Sequence, residues 1–221
     1  MKLFVGLGNP GQEHAFNRHN VGFMAADAIA AAHDFPAWRK RFSGLIAEGR
    51  LGGDRVLLLK PQTYMNRSGS SVGEAVRFYK LELGDVVIFH DELDLAPGKL
   101  RVKTGGGVAG HNGLKSITAH IGNDYVRVRI GIGHPEHREK VAKYVLSDFA
   151  KAERGSLEAL LGATADAAPF LAEGAADKFQ SRVAHLTQAE SLPQATVARR
   201  EDGSRAAKGG LAGRLRRWFG A

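Results

Sequence analysis

Four short runs of branched and aromatic apolar residues, at 3–7, 56–59, 86–89 and 126–132, recur along the chain, each bounded by Gly, Pro, Asn or Asp. Runs this short and this rich in Val, Ile, Leu and Phe read as strands. Between them, residues 21–32, 69–81 and 114–121 carry apolar side chains at helical spacing, with Ser68 an expected cap of the second. Strands alternating with helices confine the chain to an α/β domain, a mixed and twisted sheet covered by helices. Two further helices are expected after the last strand, over about 151–161 and 164–186, with Pro169 kinking the second or delaying its start.

At 221 residues and 43% apolar composition there is enough material for one core. We assign residues 1–190 to that α/β domain and 191–221 to a tail, because after Leu192 large apolar groups give way to Pro, Gly, Ala, Ser and charged residues. From Thr196 onward seven basic residues face two acidic ones, so +5 of the formal net charge of +8 sits in the tail. Such a tail is expected to be disordered. Its 211–219 stretch gathers Leu211, Leu215, Trp218 and Phe219 among Arg214, Arg216 and Arg217, as a short basic amphipathic helix facing RNA or an anionic membrane would. The absence of cysteine removes disulfide frameworks and zinc-thiolate sites. The opening MKLFVGLGNPG reads as a first strand and not as a secretory signal, and no apolar run is long enough to span a membrane, so the cytoplasm is the expected location.

Polar clusters fall at the expected ends of strands: Asn9-Pro10-Gly11, Arg18-His19-Asn20, Tyr64-Met65-Asn66, His90-Asp91-Glu92-Leu93-Asp94, and Gly105-Gly106-Gly107 leading to His111-Asn112-Gly113. In open α/β sheets ligands sit at the carboxyl ends of strands, so these loops are expected to converge. A histidine serves as a base near neutral pH when a carboxylate holds its other nitrogen, and Asp91, directly after an apolar strand, is the carboxylate to pair with His19. Asparagines supply donors and acceptors suited to a neutral ester or amide and to a developing oxyanion. No serine lies in a nucleophile elbow and no cysteine exists, which leaves water as the nucleophile. Each cluster also has a structural reading: Asn-Pro-Gly is a ready turn, His90 can close its strand, Glu92 and Asp94 can be solvated or capping residues, and the glycine run can be a flexible loop.

Taken in order, GLGNPG at 6–11, RHNVG at 18–22, TYMNRSG at 63–69, HDELDLAPG at 90–98, GGGVAGHNGLKSI at 105–117 and RIGIGHP at 129–135 resemble the bacterial peptidyl-tRNA hydrolase family over about the first 190 residues. The resemblance implies a monomeric, cytoplasmic α/β enzyme, needing neither metal nor cofactor, that hydrolyses the ester between a peptide and the tRNA 3′ end and recycles peptidyl-tRNA dropped during translation. On the matching positions it implies that His19 is the base and Asp91 its partner, and that Asn9 distinguishes an N-blocked from a free aminoacyl group. It further implies that His14, Tyr64, Asn66 and Asn112 contact tRNA, that Asn20, Met65 and His111 line the site, and that Lys103 and Arg129 hold a phosphate. At His14 and Asn17 the chain departs from the Tyr and Thr common in the family. No stable protein partner is expected; the basic tail is a candidate for contact with the ribosome or other RNA.

Three other readings compete. Gly6, Gly8 and Gly11 match a dinucleotide-binding fingerprint, although helical spacing begins only after Asn20 and no strand ending in an acidic residue follows at the required distance. His19, His90, Asp91 and His111 suggest a metal hydrolase, without compact ligand spacing. The basic tail suggests a non-catalytic RNA-binding module.

Overall fold

The computed structural model describes residues 1–191, so all but the first residue of the expected tail, its 211–219 helix included, lies outside the described residues. Strand β1 (Lys2–Gly6) is followed by helix α1 (Val21–Ala32), strands β2 (Arg39–Arg41), β3 (Gly44–Leu51) and β4 (Asp54–Pro61), and helix α2 (Ser68–Tyr79). Then come β5 (Val86–Glu92), β6 (Leu100–Thr104), α3 (Asn112–Ile121), β7 (Val126–Gly131), the short α4 (Val141–Val145), α5 (Lys151–Ala172) and α6 (Ala176–Ser191).

The seven strands of the described residues form one sheet in the order β2-β3-β4-β1-β5-β7-β6. The central β4, β1, β5 and β7 run parallel, while β2, β3 and β6 are antiparallel additions at the margins. The sequence signals only the central four, because burial on both faces writes a continuous apolar run. Marginal strands lack that run: β2 is Arg-Lys-Arg, and β6 mixes Arg101 and Lys103 with its apolar residues.

On one face Phe4, Leu58, Phe89 and Val128 pack with α1, α5 and α6 through Ile29, Leu160 and Phe179. Val5, Leu57 and Ile88 on the other face meet Val72 and Ile117 of α2 and α3. Each such side chain, fully buried, contributes roughly 2 kcal/mol. Pairing of Arg101 with Arg129 and Lys103 with Arg127, with the two-residue period of strands, sets four basic side chains on one face of the β6–β7 margin. The free edge of β6 is covered from α6, where Gln180 Oε1 accepts the Val102 N–H at 2.9 Å.

Three expectations about elements need correction. First, α5 runs unbroken through 162–164 to Ala172; the chain turns instead at Gly174, whose φ of 80° suits glycine. Pro169 neither delays nor starts a helix but sits in the last turn of α5. The Ala165 carbonyl that a residue-169 N–H would normally bond accepts from His33 Nε2 at 2.7 Å instead. Second, Ser68 begins α2 without capping it, its hydroxyl donating to the Met65 carbonyl at 2.9 Å. Third, β5 does not end at Phe89 but continues through His90, Asp91 and Glu92, all buried. Among the described residues, no helix is long and apolar enough to cross a membrane.

Candidate active site

The site forms where α1 begins beside the carboxyl ends of β1 and β5. Helix and sheet approach so closely there that a Cβ on Gly6 would stand 2.2 Å from the Gly22 carbonyl oxygen, and one on Gly22 would stand 2.3 Å from that of Phe89. The turn before α1 thereby brings His19 Nδ1 to 2.8 Å from Asp91 Oδ1. From the start of α3, His111 brings Nε2 to 3.0 Å from the same oxygen.

Hydrogen bonding settles where the protons are. The Gly113 and Leu114 N–H groups, at the N-terminus of α3, donate to His111 Nδ1 at 3.1 and 3.3 Å. His111 Nδ1 therefore has no proton of its own, and Nε2–H donates to Asp91. An ionised Asp91 only accepts, so His19 also donates, through Nδ1–H. That leaves the His19 Nε2 lone pair, which has no partner among the described residues. Burial by itself pushes a carboxyl up, but the charges that His111 and His19 carry once protonated in acid, with their two hydrogen bonds, outweigh it and hold Asp91 well below the usual carboxylate range. His90 is buried behind this pair, its Nδ1–H donating to the Asp91 carbonyl at 2.7 Å and its ring edge-on to His111. Burial foremost, then the charge of His111, lowers its pKa to about 3, so it is neutral near pH 7.

Donor atoms of His19, Asp91 and His111 lie within 4.8 Å of one another, the spacing of a metal site. The protons argue against it. To offer Nε2 to a metal, His111 would need its proton on Nδ1, where two backbone N–H groups already point. His90, the fourth residue of the metal reading, bonds a backbone carbonyl through Nδ1 and is not among the donor atoms that lie this close together.

Asn20 clamps the backbone of Asn9. Its Oδ1 accepts the Asn9 N–H and its Nδ2 donates to the Asn9 carbonyl, both at 2.9 Å. The Asn9 side chain accepts the Met65 N–H through Oδ1 at 2.8 Å, which fixes its amide orientation and leaves Nδ2 as a donor. This bond ties the loop after β1 to the loop after β4, where Met65 is buried while Tyr64 and Asn66 are exposed. Asn112, the first residue of α3, is exposed too, and neither Asn66 nor Asn112 has a side-chain hydrogen bond among the described residues. His14 lies farther along the loop after β1, its Nδ1 at 3.1 Å from Asn17 Oδ1. The two departures from the family pattern thus touch each other.

The glycine run 105–107 is pinned rather than loose. Arg127, 2% exposed, donates to the Gly107 and Gly106 carbonyls at 2.8 and 3.1 Å. Gly106 has φ 91°, and a Cβ there would meet Lys103 Nζ at 2.4 Å. Arg129 Nε donates to Glu92 Oε2 at 2.8 Å. Glu92, expected to be solvated or a cap, is buried; its Oε1 accepts the Asp94 N–H at 3.2 Å as a cap would, while its Oε2 holds this arginine diagonally across the β5–β7 pairing, a contact not written in local sequence.

A family model described as peptidyl-tRNA hydrolase matches residues 3–191. The chain belongs to the peptidyl-tRNA hydrolase family. A peptidyl-tRNA hydrolase of Cereibacter sphaeroides is 65% identical over 184 residues, 83% of this chain and 82% of that protein. One of Dinoroseobacter shibae is 65% identical over 187 residues, 85% and 80% of the two chains. The crystal structure of the Acinetobacter baumannii peptidyl-tRNA hydrolase superposes with a TM-score of 0.79 at 39% identity, covering 83% of this chain and 94% of that one.

Within a peptidyl-tRNA hydrolase the glycines of GLGNPG have work unrelated to a dinucleotide. Gly6 meets the Gly22 backbone, a Cβ on Gly8 would stand 2.7 Å from the Phe23 ring, and α1 starts only at Val21. The Arg18-His19-Asn20 turn supplies both His19 and the Asn20 clamp. His111, expected only to line the site, is a second imidazole on Asp91, a contact between residues 20 apart in sequence that no local pattern announces.

Proposed function

We propose that His19, through Nε2, takes a proton from a water molecule as that water attacks the ester carbonyl linking a peptide to the 3′ ribose of tRNA. The reaction is hydrolysis of peptidyl-tRNA to tRNA and peptide. Attack converts the carbonyl into a tetrahedral oxyanion; its collapse breaks the bond to the ribose oxygen, which takes the proton back from the His19 imidazolium. The peptide leaves as a carboxylic acid that ionises in solution, and tRNA leaves with a free 3′ hydroxyl. The observation that carries this reading is the single Asp91 oxygen receiving two imidazole N–H groups, which leaves His19 Nε2 as a lone pair.

Asn9 Nδ2 is suited to bond the blocked amide of the peptidyl group, since its Oδ1 is spoken for by Met65. The unpaired amides of Asn66 and Asn112, the exposed Tyr64 and the imidazole of His14 suit the tRNA acceptor end, with Asn20, Met65 and His111 shaping the site around them. Lys103 lies two strands from Asp91 and three residues along, roughly 14 Å away from strand geometry. With Arg129 it suits a phosphate elsewhere on the same tRNA. On this reading the enzyme works as a cytoplasmic monomer, and its basic tail adds salt-dependent affinity for RNA or the ribosome.

Hydrolysis of N-acetylated and free aminoacyl-tRNA by wild type and His19→Ala, with a strong chelator present, tests the reading. Wild type should cleave the blocked substrate preferentially, and His19→Ala should lose turnover while keeping tRNA affinity. A near wild-type rate in His19→Ala would sink the base assignment.

A further inference from the structure

The residue immediately before the base is the most heavily engaged cation among the described residues. Arg18 is 7% exposed. Its guanidinium donates to Ser147 Oγ at 3.2 Å, to the Asp148 carbonyl, and to Glu153 Oε2 at 2.5 Å. It also lies over the Tyr144 ring at 4.6 Å and beside Phe149 at 5.1 Å. All five partners belong to one stretch, from the end of α4 to the first turn of α5.

Backbone and neighbours reinforce the attachment. The Arg18 N–H donates to the Ser147 carbonyl at 2.9 Å, Asn17 Nδ2 donates to Asp148 Oδ1 at 2.8 Å, and the Phe149 N–H reaches the Phe16 carbonyl at 3.4 Å. Glu153 Oε2 accepts the Ala150 N–H as well, so the carboxylate that receives Arg18 also closes the start of α5. On the His19 side no such web exists. Apart from Asp91, the His19 side chain has no hydrogen-bond partner among the described residues, and the orientation of its ring depends on where the 17–20 turn is held.

We propose that Arg18 is a positioning residue, holding His19 at its working distance from Asp91 by anchoring the catalytic turn to the α4–α5 corner. A planar fork that bonds three acceptors and stacks between two rings fixes direction as well as distance, which an ammonium on a flexible stem does not. An error of about 1 Å in the placement of a base costs on the order of 100-fold in rate. A corner remote from the reacting atoms thus sets the geometry of the chemical step.

Arg18→Lys and Glu153→Gln, measured in single turnover on N-acetylated aminoacyl-tRNA with enzyme in excess, test the inference. Arg18→Lys should lower the rate constant about 10- to 100-fold with half-saturation changed less than about 2-fold. Glu153→Gln should act in the same direction more weakly, and the double variant should fall short of the product of the two. By NMR the His19 Nδ1 proton should exchange with solvent faster in both. A wild-type rate constant and unchanged exchange, with only the melting temperature lowered, would overturn the inference by reducing Arg18 to a structural role. If Arg18→Lys does not fold, Glu153→Gln and Ser147→Ala decide, and wild-type rates in both overturn it equally. The inference rests on His19 as the base, yet the two fail separately: an active His19→Ala removes the base, whereas an unaltered Arg18→Lys removes only the anchor.

Discussion

His111 and His19 share one oxygen of Asp91, at 3.0 and 2.8 Å, so a single buried carboxylate orients two imidazoles. In Asp91→Asn the amide oxygen can still accept from both rings at that position, but the negative charge is gone and an NH2 group replaces Oδ2. The turnover number should fall roughly 100- to 10,000-fold, less than in His19→Ala. The acid limb of the pH–rate profile should move to lower pH, because the imidazolium formed during the reaction loses its counter-charge. An unchanged profile would count against the pairing.

His111 has two duties, and two substitutions separate them. Asparagine still caps a helix but does not reach Asp91, so His111→Asn should keep most of the stability and lose about 10-fold in turnover. Alanine loses both, with about 1 kcal/mol of additional destabilisation from the missing cap. Chemical denaturation alongside kinetics distinguishes the two.

Asn20→Ala leaves the N–H and carbonyl of Asn9 without their partners. A stability loss of about 2 kcal/mol is expected, together with a smaller ratio of kcat/KM between N-blocked and free aminoacyl-tRNA. A ratio equal to that of wild type would show that Asn9 needs no clamp.

For His90 the sign of the pH effect follows from its lowered pKa. The unfolded chain takes up this proton near pH 6.5, the folded one only near pH 3. The neutral His90 therefore contributes stability that is complete above pH 6.5 and is lost as pH falls toward 3, at up to about 1.4 kcal/mol per pH unit. Asp91, whose folded value is also depressed, adds acid sensitivity only below about pH 3.9. In His90→Asn the unfolding free energy should stay flatter between pH 6 and about 4; equal slopes would remove His90 from the account.

His33 and Pro169 form a cycle of their own. His33→Ala should cost about 1 to 2 kcal/mol by orphaning the buried Ala165 carbonyl. In a Pro169→Ala background, where residue 169 again has an N–H to donate, the same change should cost less. Equal costs in both backgrounds would mean the carbonyl finds another donor.

What was legible in the sequence divides along physical lines. The parallel strands and α1 to α3 announce themselves because burial imposes a pattern on adjacent residues, and Asp91 is readable because it ends such a run. The boundary between α5 and α6 is not, since Gly162 looks like a break while the helix passes through it, with Thr164 Oγ1 bonded back to the Leu160 carbonyl at 2.7 Å. Glu92 with Arg129, Arg18 with Glu153 and His111 with Asp91 are pairings of distant residues. Local composition makes each look like a solvated charge or a lining group, and only the sheet register and helix docking create them.

The glycine contact between α1 and the sheet has one more consequence. With no side chain between the Gly22 backbone and those of β1 and β5, the start of the helix that follows the base is gauged against the sheet's main chain rather than against its apolar filling. Leucines, alanines and phenylalanines of the interior can drift in size over generations, shifting α5 or α6, while this spacing stays constant. Homologues should therefore vary freely in the core and yet be intolerant of even one methyl group at position 6 or 22.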